Sequence, residues 1–172
     1  VTIRFAMDYL CDKPVVEEVK KRIVKPLTGL KAVCYYGCLP VRPPRLTGIK
    51  NYENPTHMDG IVKTLGAEAL QWSYKTDCCG ASLALTEQSI VDDLVGRIVS
   101  DARACGAEAI VVACPLCQTN LDGRQTEIAR KRPDWQGVPV VYLSQLVGRA
   151  LGLDQKALGL KKHLVDAAAV IG

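Results

Sequence analysis

Short runs of consecutive apolar residues alternate along this chain with longer segments in which apolar positions recur every three or four residues. The runs read as strands buried on both faces, and the recurrent segments as amphipathic helices. Strands are expected over residues 30–36, 67–72, 109–113 and 138–143. Asp12-Lys13-Pro14 offers a cap and a first-turn proline for a helix reaching about Val24, with Val15, Val16, Val19 and Ile23 near one face. Asn54-Pro55 and Gly66 bracket another helix. Thr86 is the expected cap of a long helix that carries Ile90, Leu94, Ile98 and Ala102 and stops at Gly106. A helix follows Cys114-Pro115, Ser144 caps the next, and the tail from Asp154 reads as helical and amphipathic. Residues 39–53, with Pro40, Pro43, Pro44 and Gly48, read as a loop. This alternation predicts an α/β fold with about four parallel strands in one sheet, flanked by helices.

Composition adds limits. A chain of 172 residues fits one domain with room for a real core. Its 48% hydrophobic and 23% charged residues are ordinary for a globular protein. The net charge is only +4. Its dense basic stretches, Lys20-Lys21-Arg22 and Arg130-Lys131-Arg132, lack interleaved aromatics, so they read as solvated helix faces and no nucleic-acid partner is expected. No apolar run reaches the roughly 18 residues of a membrane helix, and no secretory leader opens the chain. Membrane insertion is therefore not expected, and the cytoplasm is the expected location.

The eight cysteines change the picture most. A chain with this much core does not need disulfide staples, so metal binding or redox chemistry is the better reading. Cys38 lies 40 positions before Cys78, Cys79 follows directly, and Cys114 lies 35 after Cys79 in a Cys-Pro-Leu-Cys that ends at Cys117. On the strand map all of them fall past the carboxyl ends of strands, where open parallel sheets form their sites. Five thiolates are one more than a tetrahedral zinc or an ordinary cubane needs. Adjacent cysteines in extended chain point to opposite sides, so Cys78 and Cys79 reach two metal atoms more easily than they chelate one. Gly80 lets the backbone pass close to bulky sulfides. The Cys114–Cys117 turn at a helix start lowers thiol pKa. The residues alone leave two rivals open: zinc in four of the five thiolates, and a thioredoxin-like dithiol at Cys114 and Cys117. Cys34 reads as a core residue, Cys105 as a buried free thiol at a helix end, and Cys11 has no partner spacing. His57 reads as a cap or as a group facing the metal edge, and His163 as solvated.

The segments Tyr35-Tyr36-Gly37-Cys38, Thr76-Asp77-Cys78-Cys79-Gly80 and Ala113-Cys114-Pro115-Leu116-Cys117 resemble the CCG cysteine-rich domain, in the form found in heterodisulfide reductase B subunits. Arg42-Pro43-Pro44, Glu53-Asn54-Pro55, Leu65-Gly66-Ala67, Asn120-Leu121-Asp122 and Leu151-Gly152-Leu153-Asp154 extend the resemblance, which covers roughly residues 30–166. The Cys79–Cys114 spacing is about one residue shorter than the usual pattern. The resemblance implies a noncubane [4Fe-4S] cluster held by Cys38, Cys78, Cys79, Cys114 and Cys117. It also implies reductive cleavage, or reverse formation, of a disulfide such as the coenzyme M–coenzyme B heterodisulfide. The partners it implies are the iron–sulfur C subunit of such a complex, together with its flavoprotein A subunit. Heterodisulfide reductase B subunits carry two CCG motifs, and this chain carries one. It is similar to the C-terminal half, with residues 1–29 as a helical linker or extension and residues 30–172 as the CCG domain. The expected partner is then an N-terminal CCG half or a second CCG chain. Arg42 and Arg45 follow Cys38, and one of them is expected to meet an anionic substrate tail or a cluster sulfide.

Overall fold

The computed structural model describes residues 4–172; Val1 to Ile3, part of the expected extension, lie outside the described residues. The chain folds as α1 (Ala6–Leu10), α2 (Lys13–Lys21), β1 (Lys31–Tyr35), α3 (Pro44–Thr47), α4 (His57–Thr64) and β2 (Glu68–Leu70), then α5 (Gln88–Ala104), β3 (Ala109–Val112), α6 (Pro115–Lys131), β4 (Val140–Tyr142), α7 (Leu143–Ala150) and α8 (Ala168–Ile171). The four strands form one all-parallel sheet in the order β2-β1-β3-β4, as the alternation of patterns predicts. Among the described residues no helix is long and apolar enough to cross a membrane.

Side chains alternate across each strand, so the sheet divides the core into two layers. Ala32, Cys34 and Tyr36 of the first strand segment join Val111 and Val141 in the layer that also buries Met7, Val19, Ile61, Leu65 and Leu146 from α1, α2, α4 and α7. Val33 and Tyr35 join Ile110, Val112 and Val140 in the other layer, against Val91, Val95, Ile98 and Val99 of α5 and Leu121 and Ile128 of α6. Each strand is covered on both faces, which is why it reads as a continuous apolar run. The chain steps from β1 outward to β2, then back across β1 to β3 and on to β4. The order therefore reverses between β1 and β3, the position outside whose carboxyl ends open parallel sheets form their sites.

Several local expectations fail for identifiable reasons. Asp12 stands at the N-cap of α2 without a capping bond, because its carboxylate is engaged by Arg4 at 2.6 and 2.8 Å. Thr86 does not cap α5; the cap position is Glu87, and the Thr86 hydroxyl turns back to the Leu83 carbonyl. The apolar stripe of α5 runs through Val91, Val95, Ile98, Val99 and Ala102, while Ile90 is 48% exposed. A stripe spaced strictly by four drifts around a helix of 3.6 residues per turn, so its first member leaves the core face. Ser144 lies inside the first turn of α7, whose entry is fixed by Gln145 Oε1 accepting from the Tyr142 N–H at 2.8 Å. The loop over residues 39–53 contains the single turn α3. The tail is not one helix: Gly159 takes φ +65°, and only a 3-10 turn at Leu160–Lys162 and the short α8 form.

A buried ion pair ties the first two strand exits together. Lys75 Nζ donates to Asp59 Oδ1 at 2.7 Å, and both side chains are 4% exposed. Lys75 also donates to the Pro55 carbonyl at 3.1 Å, and the Tyr36 hydroxyl donates to Asp59 Oδ2 at 2.7 Å. That hydroxyl in turn accepts the Met58 N–H at 2.8 Å. Every charge is thus paired and hydrogen-bonded, the condition under which burial is tolerated. Lys75→Met should leave the Asp59 carboxylate buried and alone, lowering stability in urea by about 3–5 kcal/mol. Adding Asp59→Leu should recover a large part of that loss; a single variant as stable as wild type would refute the pairing.

Candidate metal centre

The three cysteine segments leave the sheet at the reversal of strand order. Cys38 follows β1, Cys78 and Cys79 follow β2, and Cys114 is the N-cap of α6 directly beyond β3, with Cys117 one turn inside it. The structure brings them together as expected from the strand map. Cys38 Sγ lies 3.9 Å from Cys78 Sγ, and Cys79 Sγ lies 3.8 Å from Cys117 Sγ. The adjacent pair diverges: Cys78 is exposed and meets the first loop, whereas Cys79 is buried and meets α6. Among the described residues no three His, Cys, Asp or Glu side chains adopt the arrangement of a single-ion site. The donors instead form two close pairs, with Cys114 at the N-cap of the helix that carries Cys117.

The backbone around them is fixed by hydrogen bonds that reach between loops. The Lys75 carbonyl accepts from the N–H groups of Tyr36 at 2.8 Å and Gly37 at 3.1 Å, which sets the approach to Cys38. Tyr35, buried beneath the thiols, donates its hydroxyl to the Asp77 carbonyl at 2.6 Å, just before the cysteine pair. Asn120 donates to the Cys79 carbonyl at 2.6 Å, locking that segment to α6. Two glycines are required. Gly37 has φ +65°, and a Cβ there would stand 3.1 Å from Cys117 Sγ and 3.2 Å from the Tyr35 ring. Gly80 has φ +75°, and a Cβ would meet Leu94 at 2.9 Å.

The electrostatics favour anionic sulfur at Cys79 and Cys114. Hydrogen bonding with the neighbouring Cys117, whose single S–H can serve one sulfur at a time, is the largest influence lowering Cys79 and Cys114 to about 6. Backbone N–H groups of Leu116 and Cys117 at the start of α6 add to this at Cys114. Cys117 itself is pushed far up by the neighbouring Cys114 and Cys79 sulfurs and by burial. Burial and the nearby Cys78 raise Cys38. Burial, then Cys79, Cys117, Cys78 and Cys38, raise Tyr35, so its hydroxyl stays protonated beneath the sulfurs.

The other candidates fall elsewhere. Arg42 and Arg45 are exposed; the Arg42 N–H bonds the Cys38 carbonyl at 3.0 Å, and Arg45 lies on α3. Cys34 is a core residue as expected. Cys105 is exposed, not buried, because α5 ends in solvent before Gly106. Cys11 is half-buried, and burial pushes its thiol up to about 12. His57 opens α4 and lies edge-on to Tyr36, with ring centroids 4.9 Å apart, and burial lowers its pKa. His163 is not solvated; it is half-buried and bonded on both ring nitrogens. Lys75, Asp59 and Tyr35 escape sequence reading, since a buried charge pair 16 residues apart has no local signature. Leu39 and Leu116, chain neighbours of Cys38 and Cys117, are exposed, as are Leu46, Leu83 and Leu85 further along the segments that follow the cysteines.

A family profile described as a cysteine-rich domain, CCG, matches residues 32–122. The chain is 38% identical over 152 residues to the membrane anchor of the 8-methylmenaquinol:fumarate reductase of Wolinella succinogenes, covering 88% of this chain and 54% of that protein. It is 28% identical over 166 residues to the B subunit of a ferredoxin/F(420)H(2)-dependent CoB-CoM heterodisulfide reductase of Methanosarcina acetivorans, covering 95% and 55%. The chain thus spans about half the length of the curated relatives it matches. A solved hypothetical protein from Helicobacter pylori shares the fold, with TM-score 0.65 and 13% identity over 87% of this chain and 28% of that one.

In reduced, metal-free protein, alkylation of Cys114 should titrate with a midpoint of about 6. The thiolate is present above that pH and lost below it, whereas an ordinary thiol titrates at about 8.5. Cys117→Ala removes the donor and should move the midpoint upward. Peptide-resolved mass spectrometry checks this, and an ordinary thiol profile in the wild type would contradict it.

Proposed function

The chain belongs to the CCG cysteine-rich domain family, and from that membership we propose that it is an iron–sulfur redox module of a heterodisulfide reductase-like complex. The observation that carries this reading is the convergence of five thiols on one sheet edge, in two close pairs joined through α6. That donor set fits a group larger than one ion. Cys38, Cys78, Cys79, Cys114 and Cys117 would hold a noncubane [4Fe-4S] cluster. When bound, the cluster would supply electrons and an open iron for a sulfur of a disulfide such as the coenzyme M–coenzyme B heterodisulfide.

The chain's own residues account for the rest. The lowered thiols of Cys79 and Cys114 offer thiolate at neutral pH. The buried Cys79 and Cys117 keep water from the inner side, while the exposed Cys78 and half-buried Cys38 and Cys114 leave the outer side approachable. Arg42 and Arg45, on the rim after Cys38, would attract an anionic substrate tail. The exposed leucines that adjoin and follow the cysteines in the chain suit an N-terminal CCG half or a second CCG chain facing this edge. Electrons would pass from a flavoprotein A subunit through an iron–sulfur C subunit to this site. Residues 1–29 would form the link to the first half, and residues 30–172 the cluster domain.

Anaerobic loading with iron and sulfide should give a brown protein with about four irons and about four sulfides per chain. Cys79→Ser should remove most of that iron, while Cys105→Ser should leave it unchanged. Colourless protein holding a single zinc after anaerobic purification would favour a structural or docking domain and sink the redox reading. In a complete two-half enzyme, Arg42→Ala or Arg45→Ala should raise KM for an anionic disulfide several-fold at low salt; unchanged KM in both would remove the arginines from the site.

A further inference from the structure

His163 sits between two glutamines on different helices. Its Nε2 lies 2.8 Å from the side-chain nitrogen of Gln145 on α7, and its Nδ1 lies 3.4 Å from that of Gln118 on α6. Gln118 comes directly after Cys117 and one turn after Cys114, whose carbonyl accepts its backbone N–H at 3.0 Å. Asp122, buried one turn further, accepts the N–H groups of Leu164 at 2.8 Å and Val165 at 3.1 Å and so pins the segment carrying the imidazole.

The hydrogen bonds around Gln145 fix the direction of this chain of groups. Its amide cannot turn over, because Oε1 accepts from the Tyr142 N–H at 2.8 Å and Nε2 donates to the Leu158 carbonyl at 2.9 Å. Its second N–H therefore points at His163 Nε2, which must accept. A neutral imidazole that accepts at Nε2 carries its proton on Nδ1. That proton faces Gln118, whose amide satisfies it by turning over to present oxygen, since the two ends of an amide have the same shape. The Gln118 NH₂ group is then left free one turn beyond the N-cap Cys114, to whose carbonyl the Gln118 backbone is bonded.

We propose that Gln145 and His163 act as positioning residues that hold the Gln118 amide with its N–H groups toward the sulfur at Cys114. This rests on the iron–sulfur reading above. An N–H donor to a ligand sulfur stabilises the more negative, reduced state of a bound cluster and raises its midpoint potential. Gln118 would thereby tune the potential without being a ligand. The arrangement also explains why a histidine near the solvent boundary is gripped by polar side chains from two helices, where apolar packing would have held the tail equally well.

Two measurements test it. In metal-free protein, nitrogen NMR of the His163 ring should show the Nδ1–H tautomer. Gln145→Glu, whose carboxylate can only accept, should convert it to Nε2–H. In anaerobically iron-loaded protein, Gln118→Leu and His163→Phe should each keep full iron and shift the midpoint potential to lower values. Gln145→Glu keeps the bond at Tyr142 but loses the one to the Leu158 carbonyl and adds a charge, so it serves the tautomer measurement, and the uncharged Gln118→Leu and His163→Phe variants carry the redox test. An Nε2–H tautomer in wild type, or unchanged potentials in both iron-replete variants, overturns the proposal. Wild type that takes up no iron overturns the iron–sulfur reading instead, and the tautomer measurement still decides the geometry.

Discussion

A lysine and an aspartate, both almost wholly excluded from water, lie where the exits of the first two strands meet. Unpaired, either charge would be costly in that position; paired with each other, with the Tyr36 hydroxyl and with the Pro55 carbonyl, they are satisfied. The consequence reaches the cysteines through the backbone. The residue whose ammonium is locked to α4 also offers its carbonyl to Tyr36 and Gly37, so the loop bearing Cys38 and the loop bearing Cys78 and Cys79 share one anchor. Asn120 adds the third loop by holding the Cys79 carbonyl to α6. Parallel strand direction brings these loops to the same edge; the buried network sets them at sulfur-to-sulfur distances.

Thiols so close repel once ionised, and the fold answers with donors. The Cys117 thiol lies beside Cys79, the first turn of α6 presents N–H groups to Cys114, and Tyr35 stays protonated underneath. Cys79 and Cys114 are thereby prepared as thiolates before anything binds, while Cys38 and Cys78 face the approach from solvent. This asymmetry suits a site that must hold a group firmly on one side and present it on the other.

The sheet was legible because burial on both faces leaves uninterrupted apolar runs, and the cysteine convergence followed from strand placement alone. Helix starts were less legible. Asp12, Thr86 and Ser144 have the right chemistry for caps, but each is diverted or displaced by a partner that local sequence does not reveal: Arg4, the Leu83 carbonyl and Gln145. The tail reads as a helix by composition, yet Gly159 breaks it and Asp122 holds the residues that follow in an open path. The same long-range bonds moved His163 from the solvent into the structure. Lys75 and Asp59 look like ordinary surface charges until the fold pairs them.

Whether five thiols from three loops hold a single iron–sulfur group is decided most directly by anomalous diffraction at the iron edge, from anaerobically grown crystals of loaded protein. One compact cluster of iron peaks should appear, bonded to Cys38, Cys78, Cys79, Cys114 and Cys117 together. A lone metal peak on four of these thiols with the fifth free, or iron bound away from this edge, would contradict the assignment.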